Sequence, residues 1–168
     1  MSLEPWQDAV LTVARAEIGF HENPLGSNKT GRYGVYYGRL ANDGIMWDGQ
    51  DWCGMFATYC FGTAGYPLPM MQHEGYEGFA SVAIGMASAR QFGWLLTGDR
   101  MDPQPGDLAL YDWNSDGKPD HVGIVESGIV GIAVASIEGN TGEQSAYVLR
   151  QVRKWKSLIG LIRPVFDE

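Results

Sequence analysis

The apolar residues of this chain change period once, near residue 100, and that change limits the possible folds more than any other feature. Before it, apolar side chains recur with helical spacing. Residues 5–18 carry Trp6, Val10, Val13 and Ala14 on one stripe, with Pro5 suited to a first turn and Gly19 to a stop. In the strongest run, Cys53, Phe56, Ala57, Cys60, Phe61 and Ala64 fall at i, i+3, i+4, i+7, i+8 and i+11. Asp51 is placed to cap that helix, and Gly65 and Pro67 to end it. A weaker helical pattern covers 76–91, with Phe79, Val82, Ala83 and Met86 on one side. After residue 100 the period falls to two. Strands are predicted at 107–112, 121–127, 130–137, 146–153 and 158–164, parted by turns such as Asn114-Ser115-Asp116-Gly117 and Gly139-Asn140-Thr141-Gly142. Helices first and strands afterwards predict an α+β fold with an antiparallel sheet.

Residues 20–51 fit neither period. They read as a long irregular loop, and its five aromatics (Phe20, Tyr33, Tyr36, Tyr37 and Trp47) favour a functional loop over disorder. There is no internal repeat or linker, so a single domain over 1–168 is expected.

Charge narrows the partners. The net charge of −8 argues against nucleic acid, whose phosphates need clustered Lys and Arg. The one basic cluster, Arg150, Arg153, Lys154 and Lys156, reads as the solvated face of a late strand pair. No window reaches the roughly 18 apolar residues of a membrane span. The N-terminus carries Glu4 and Asp8 and no basic segment followed by an apolar run, so no secretory signal is expected. A monomer made in the cytoplasm is the expectation.

Two cysteines are too few for a disulfide scaffold. Seven residues along one helix separate Cys53 from Cys60 by about 10.5 Å, and a disulfide needs α-carbons within about 7 Å. A thiol attacks as thiolate, which a helix N-terminus and a nearby imidazolium both favour. Cys53 lies in the first turn of the strongest helix. Cys60 lies two turns further in, on the apolar stripe. Position therefore favours Cys53 as the reactive thiol, against its other reading as part of the core.

Of the three histidines, His21 and His73 lie in loop-like sequence and read as surface residues. His121 stands at the mouth of the strand His121-Val122-Gly123-Ile124-Val125, where a fixed backbone can aim the ring as a base must be aimed. A base also needs an orienting partner on its other nitrogen. Antiparallel pairing would bring the end of the next strand, Ile137-Glu138-Gly139-Asn140, beside His121. Glu138 could accept from the ring, and Asn140 could orient it or polarise a substrate carbonyl. Both also suit a turn.

The stretches Trp52-Cys53-Gly54-Met55-Phe56, Pro105-Gly106-Asp107, Asp112 to Val125 and Ile137-Glu138-Gly139-Asn140-Thr141 stand in this order. Together they resemble the successive motifs of the CHAP domain, the cysteine, histidine-dependent amidohydrolase/peptidase of phage endolysins and bacterial autolysins. The segment Asn28 to Gly38 is similar to the lead-in of phage-lysin examples. The resemblance implies a papain-like or NlpC-like arrangement, with N-terminal helices packed on a small antiparallel sheet. It implies Cys53 as nucleophile, His121 as base, Glu138 as orienter and Asn140 as supporting polar group. Trp52, Tyr33 and Trp113 become candidates for the substrate groove. The implied substrate is an amide of peptidoglycan, either the muramoyl–alanine bond or a stem or cross-bridge peptide bond, and the implied release route is a holin-type pore. An NlpC-type endopeptidase or effector amidase is the nearest alternative, and a non-catalytic wall-binding module a more distant one.

Calcium is a competing theme. Asp112-x-Asn114-x-Asp116-Gly117 matches the opening of a calcium loop, with Asp120 at the ninth place, but Gly123 stands where a bidentate Glu belongs. An Asx-rich turn that aims His121 accounts for the same residues. Some members of the resembling family bind calcium just before the nucleophile. Asp43, Asp48 and Asp51 are weak candidates for that, and calcium is not expected to be required.

Overall fold

Helix α3, Cys53–Thr63, is the element around which the rest is built. The sequence predicts an amphipathic stripe. The computed structural model, which describes residues 3–69, 71, 72 and 77–166, buries Gly54, Met55 and Thr58 as well as the stripe from Cys53 to Phe61. The helix is therefore a central rod covered on nearly every side. Burying Met55, Phe56 and Phe61 contributes roughly 5–9 kcal/mol, taking about 1.5–3 kcal/mol for each side chain. His73 lies outside the described residues.

Three helices flank it. In α1, Pro5–Ala16, Pro5 opens the first turn and Gln7 Oε1 accepts the Glu4 N–H at 2.8 Å; Val10, Leu11 and Ala14 are buried. Helix α2, Tyr33–Ala41, corrects the expectation of an irregular segment over 20–51. Two glycines and three tyrosines dilute its helical signal. Tertiary packing supplies what propensity lacks: Tyr33 and Tyr37 are fully buried, and Thr30 Oγ1 takes the Tyr33 N–H at 3.0 Å. Gly34 is required there, because a Cβ would stand 2.6 Å from Asp48 Cα. Helix α4, Val82–Gln91, starts later than the pattern suggests, at the Ser81 cap. Its buried side is Val82, Gly85 and Ala89; Ala83, expected on that side, is exposed.

The six strands are β1 (Leu95–Leu96), β2 (Leu108–Tyr111), β3 (His121–Ile129), β4 (Ala133–Thr141), β5 (Tyr147–Lys154) and β6 (Leu158–Ile162). They form one antiparallel sheet in the order β1-β6-β2-β3-β4-β5. The fold is α+β, with all five predicted strands present and the two-residue β1 added. Alternation divides the sheet into two faces. Leu108, Leu110, Val122, Ile124, Ile137 and Ile162 join the core shared with the helices. Ala109, Tyr111, Val125, Val134 and Leu161 form a smaller cluster on the other face. Helix and sheet approach tightly at Gly139, where a Cβ would lie 2.6 Å from the Trp52 ring and 2.7 Å from Phe56 Cβ. That approach brings the first residue of α3 to the same end of the sheet as the first residue of β3. Among the described residues no helix is long and apolar enough to cross a membrane.

Candidate active site

Cys53 is the first residue of α3 and is 6% exposed. It opens onto a cavity of about 390 Å³ whose wall also includes His121, Asn140, Asn28, Asp51 and Trp113. Both cysteines are free. Burial pushes the Cys60 thiol pKa well up, so that sulfur is a protonated core group. The expected Asp51 cap is not made. Trp52 is the N-cap residue of α3 and no side chain caps it; Asp51 Oδ1 instead accepts from Asn28 Nδ2 at 3.3 Å. The first turn of α3 thus keeps its unpaired N–H groups at the cavity end.

His121 begins β3 and is also 6% exposed. Tyr111 pairs with it across β2, and its own strand runs into the core through Val122 and Ile124. The ring is thereby held by backbone on one side and by Glu138 on the other. The Nε2–H donates to Glu138 Oε2 at 2.9 Å, which leaves Nδ1 for the thiol. Burial works against a charged ring, but hydrogen bonding and charge from Cys53 and then Glu138 outweigh it and raise the His121 pKa from 6.5 to about 9.

Glu138 is completely buried, and each oxygen is satisfied. Oε1 accepts from Ser136 Oγ at 2.7 Å and Arg153 Nε at 3.0 Å. Oε2 accepts from the His121 ring, from Arg153 Nη2 at 2.6 Å and from Thr141 Oγ1 at 3.3 Å. Burial alone would raise its pKa, yet His121 and Arg153 hold it at about 2. Space for the carboxylate comes from Gly123, where a Cβ would sit 2.7 Å from Glu138 Cγ. The Tyr111 hydroxyl reaches Ser136 Oγ at 2.9 Å and extends the network by one step.

Asn140 lies on the cavity wall rather than on the imidazole. Its Nδ2 donates to Asn28 Oδ1 at 3.0 Å. Asn28 in turn donates its N–H to the buried Glu22 at 2.9 Å, and the other Glu22 oxygen takes Trp52 Nε1–H at 2.7 Å. Asn28, Asn140, Gln144 and Ser145 all have positive φ and all border the cavity of Cys53. Such backbone is uncommon for residues other than glycine and concentrates where geometry is imposed by function.

The groove candidates divide. Trp113 is 48% exposed and overlooks the site, stacked on Tyr111 at 5.4 Å and 5.9 Å from the His121 ring. Trp52 and Tyr33 are fully buried and stacked on each other at 5.1 Å, so neither lines a groove. The physical reason is that their large rings fill the core while their polar tips are met inside it, Trp52 by Glu22 and Tyr33 by Glu17 at 2.6 Å.

The basic cluster also divides. Arg150 pairs with Glu126, as a solvated strand face would allow. Arg153, read from sequence as part of that face, is instead the fork that neutralises Glu138. Two signals point to it in hindsight: a buried strand-end carboxylate needs a counter-charge, and the next strand offers one.

The acidic residues weighed for calcium are occupied locally. Asp112 accepts the N–H groups of Asn114, Ser115 and Gly117 at 3.2, 2.6 and 2.8 Å. These bonds outweigh its desolvation and lower its pKa. Asp120 accepts from Trp113 N–H at 2.7 Å, Asp43 from Ile45 N–H at 2.9 Å, and Asp48 from Thr30 N–H at 2.9 Å. Among the described residues no group of three or more acidic, His or Cys side chains converges as a metal site would.

The model of the CHAP-domain family matches residues 45–140. That stretch contains Cys53, His121, Glu138 and Asn140 and leaves Asn28 and Arg153 outside it. No protein of curated function matches the chain. Among solved structures, the chain is similar to Ly7917 at 18% identity and a TM-score of 0.47, over 94% of this chain and 62% of that one. It is likewise similar to Ly7917 crystallised with the hydrolyzing product of MDP, at the same identity and coverage and a TM-score of 0.42. The chain therefore spans less than two thirds of the length of Ly7917.

Proposed function

The chain belongs to the CHAP-domain family, and from that premise we propose that it is a peptidoglycan hydrolase cutting an amide bond through a cysteine thioester. The observation that carries this reading is the set Cys53–His121–Glu138, with the thiol and the imidazole on the wall of one cavity and one ring nitrogen hydrogen-bonded to a buried carboxylate. That is a nucleophile, a base and an orienter in sequence.

In the proposed reaction the Cys53 sulfur bonds to the carbonyl carbon, and the thiol proton resides on His121. The oxyanion is met by N–H groups of the uncapped first turn of α3. When the C–N bond breaks, His121 returns the proton to the leaving amine. Water then attacks the thioester, His121 takes its proton, and the carboxylic acid leaves as the thiol is restored. Glu138 keeps the ring aimed throughout and offsets its positive charge; Asn140 offers an amide to the substrate from the cavity wall. The bond is either the muramoyl–alanine amide or a peptide bond of the stem or cross-bridge.

The test is turbidity clearing of purified peptidoglycan, with mass spectrometry of the new end groups. The parent chain should clear, and Cys53→Ala should lose about 10³-fold or more of that rate. Equal clearing by both would remove Cys53 from the mechanism. The end groups identify which amide is cut.

A further inference from the structure

We propose that the cationic rim beside the catalytic pair, formed by Arg153, Lys154 and Lys156 around Trp113, is a subsite for a carboxylate of the peptide stem. This rests on the peptidoglycan reading above and names the part of the substrate that the rim takes. Two cavities, of about 290 and 420 Å³, adjoin along Trp113 and Arg153. The first reaches His121 and Asn140; the second continues away from them to Lys154, Lys156 and Val152. A group bound in the second therefore lies one cavity away from His121.

The charge there is exceptional for this chain. The net charge is −8, yet three cations stand within four residues on one wall, Arg153 paired with Glu138 and the two lysines not. Arg150, the fourth cation of the cluster, is neutralised by Glu126. Lys154 and Lys156 make no ion pair among the described residues. Arg153 spends Nε and Nη2 on Glu138 and Thr141, while Nη1 has no hydrogen bond among the described residues. Asp112, the one acid lining this second cavity, has both oxygens turned to backbone N–H groups. Its charge is thus already solvated by its own turn.

The shape favours a carboxylate on a peptide. Trp113 and Val152, 48% and 71% exposed, give apolar surface for an aliphatic side chain between the charges. The Arg153 guanidinium lies 4.8 Å over the Trp113 ring, which keeps its plane fixed and its free nitrogen at the rim. A substrate carboxylate there takes one hydrogen bond from Nη1, since Nε and Nη2 already serve Glu138, and the ammonium charges of Lys154 and Lys156 add to it.

The experiment compares a synthetic muropeptide bearing a free stem carboxylate with its carboxamide twin. The parent should show the lower KM on the carboxylate. Lys154→Ala/Lys156→Ala should raise that KM about fivefold, the size expected when two exposed ion pairs are lost. It should leave kcat and the carboxamide KM unchanged. An equal rise on both substrates, or none on either, overturns the subsite. So does a defect seen only on walls that retain phosphate polymers, because the ligand is then phosphate. If the parent cuts neither peptide, the hydrolase reading falls by itself. Calorimetric binding of the two peptides to Cys53→Ala still judges the subsite, which requires tighter binding of the carboxylate.

Discussion

At the scale of single residues, the site rests on a buried charge balance. Glu138 has no contact with water, so its negative charge persists only because His121 and Arg153 face it. The same coupling sets the titration of the ring. With Cys53 and Glu138 in place, His121 should stay protonated until pH approaches about 9. Following the His121 Cε1–H resonance against pH should show this directly. In Cys53→Ala, and separately in Glu138→Gln, one anchor is gone while burial remains, so the midpoint should move down. A midpoint unmoved in both variants would show that neither residue holds the proton. Activity that depends on the protonated ring should correspondingly fall as pH rises through about 9. Much of this was legible in the sequence. Cys53 stood at a helix start, His121 at a strand mouth, and Glu138 at the end of the neighbouring strand. Arg153 was not legible as part of the site, because an arginine on an alternating strand looks the same whether it meets water or a buried carboxylate. Trp52 and Tyr33 misled for the reverse reason: aromatics near a nucleophile resemble a groove until their burial is known.

Among the elements, β-alternation and the period of α3 were strong enough to be read from the chain, and the strand boundaries lie within a few residues of those expected. Helix α2 was hidden because its stability comes from Tyr33 and Tyr37 filling the core, a tertiary effect that leaves no local pattern. The distance between α3 and β4 was equally invisible, although Gly139 holds the clue. The contact there admits no side chain. Gly139→Ala should force the strand away from Trp52 and Phe56, at a cost of about 1–3 kcal/mol by the usual penalty for overpacking. Because Cys53 rides on one element and His121 on the sheet, activity should drop by more than stability explains. Thermal melting together with peptidoglycan clearing checks this; a variant with a lowered Tm and full activity would mean that the spacing is not critical.

For the whole molecule, acid is the condition that should weaken it most directly. Glu138 falls from 4.5 to about 2 on folding, and Glu126 and Asp112 are also lowered. A depressed carboxyl pKa contributes stability above the unfolded value, and that contribution is lost as pH falls through the folded one. For Glu138 the window runs from about 4.5 down to about 2, and the loss by pH 3 is roughly 2 kcal/mol. Asp107 works the other way, since its burial raises it by more than Arg163 lowers it. Tm should therefore be about 5 °C lower at pH 3 than at pH 7, and Glu138→Gln should shrink that difference; an equal drop in the variant would place the acid sensitivity elsewhere. His121 has the opposite sign, with stability present below 6.5 and lost as pH rises through about 9. The sheet order adds a consequence of another kind. Strand β5 is terminal, and residues 19–22 cover only its beginning, through Gly19, Phe20 and Glu22. The rest of its outer margin is a template on which a strand from another molecule could anneal. Arg150 and Arg153 are spent on Glu126 and Glu138, so Lys154 is the arginine or lysine of that stretch that makes no ion pair among the described residues. A charged side chain on an open strand margin is what discourages a second strand from pairing there, so the same lysine that faces the second cavity also bears on how the sheet ends.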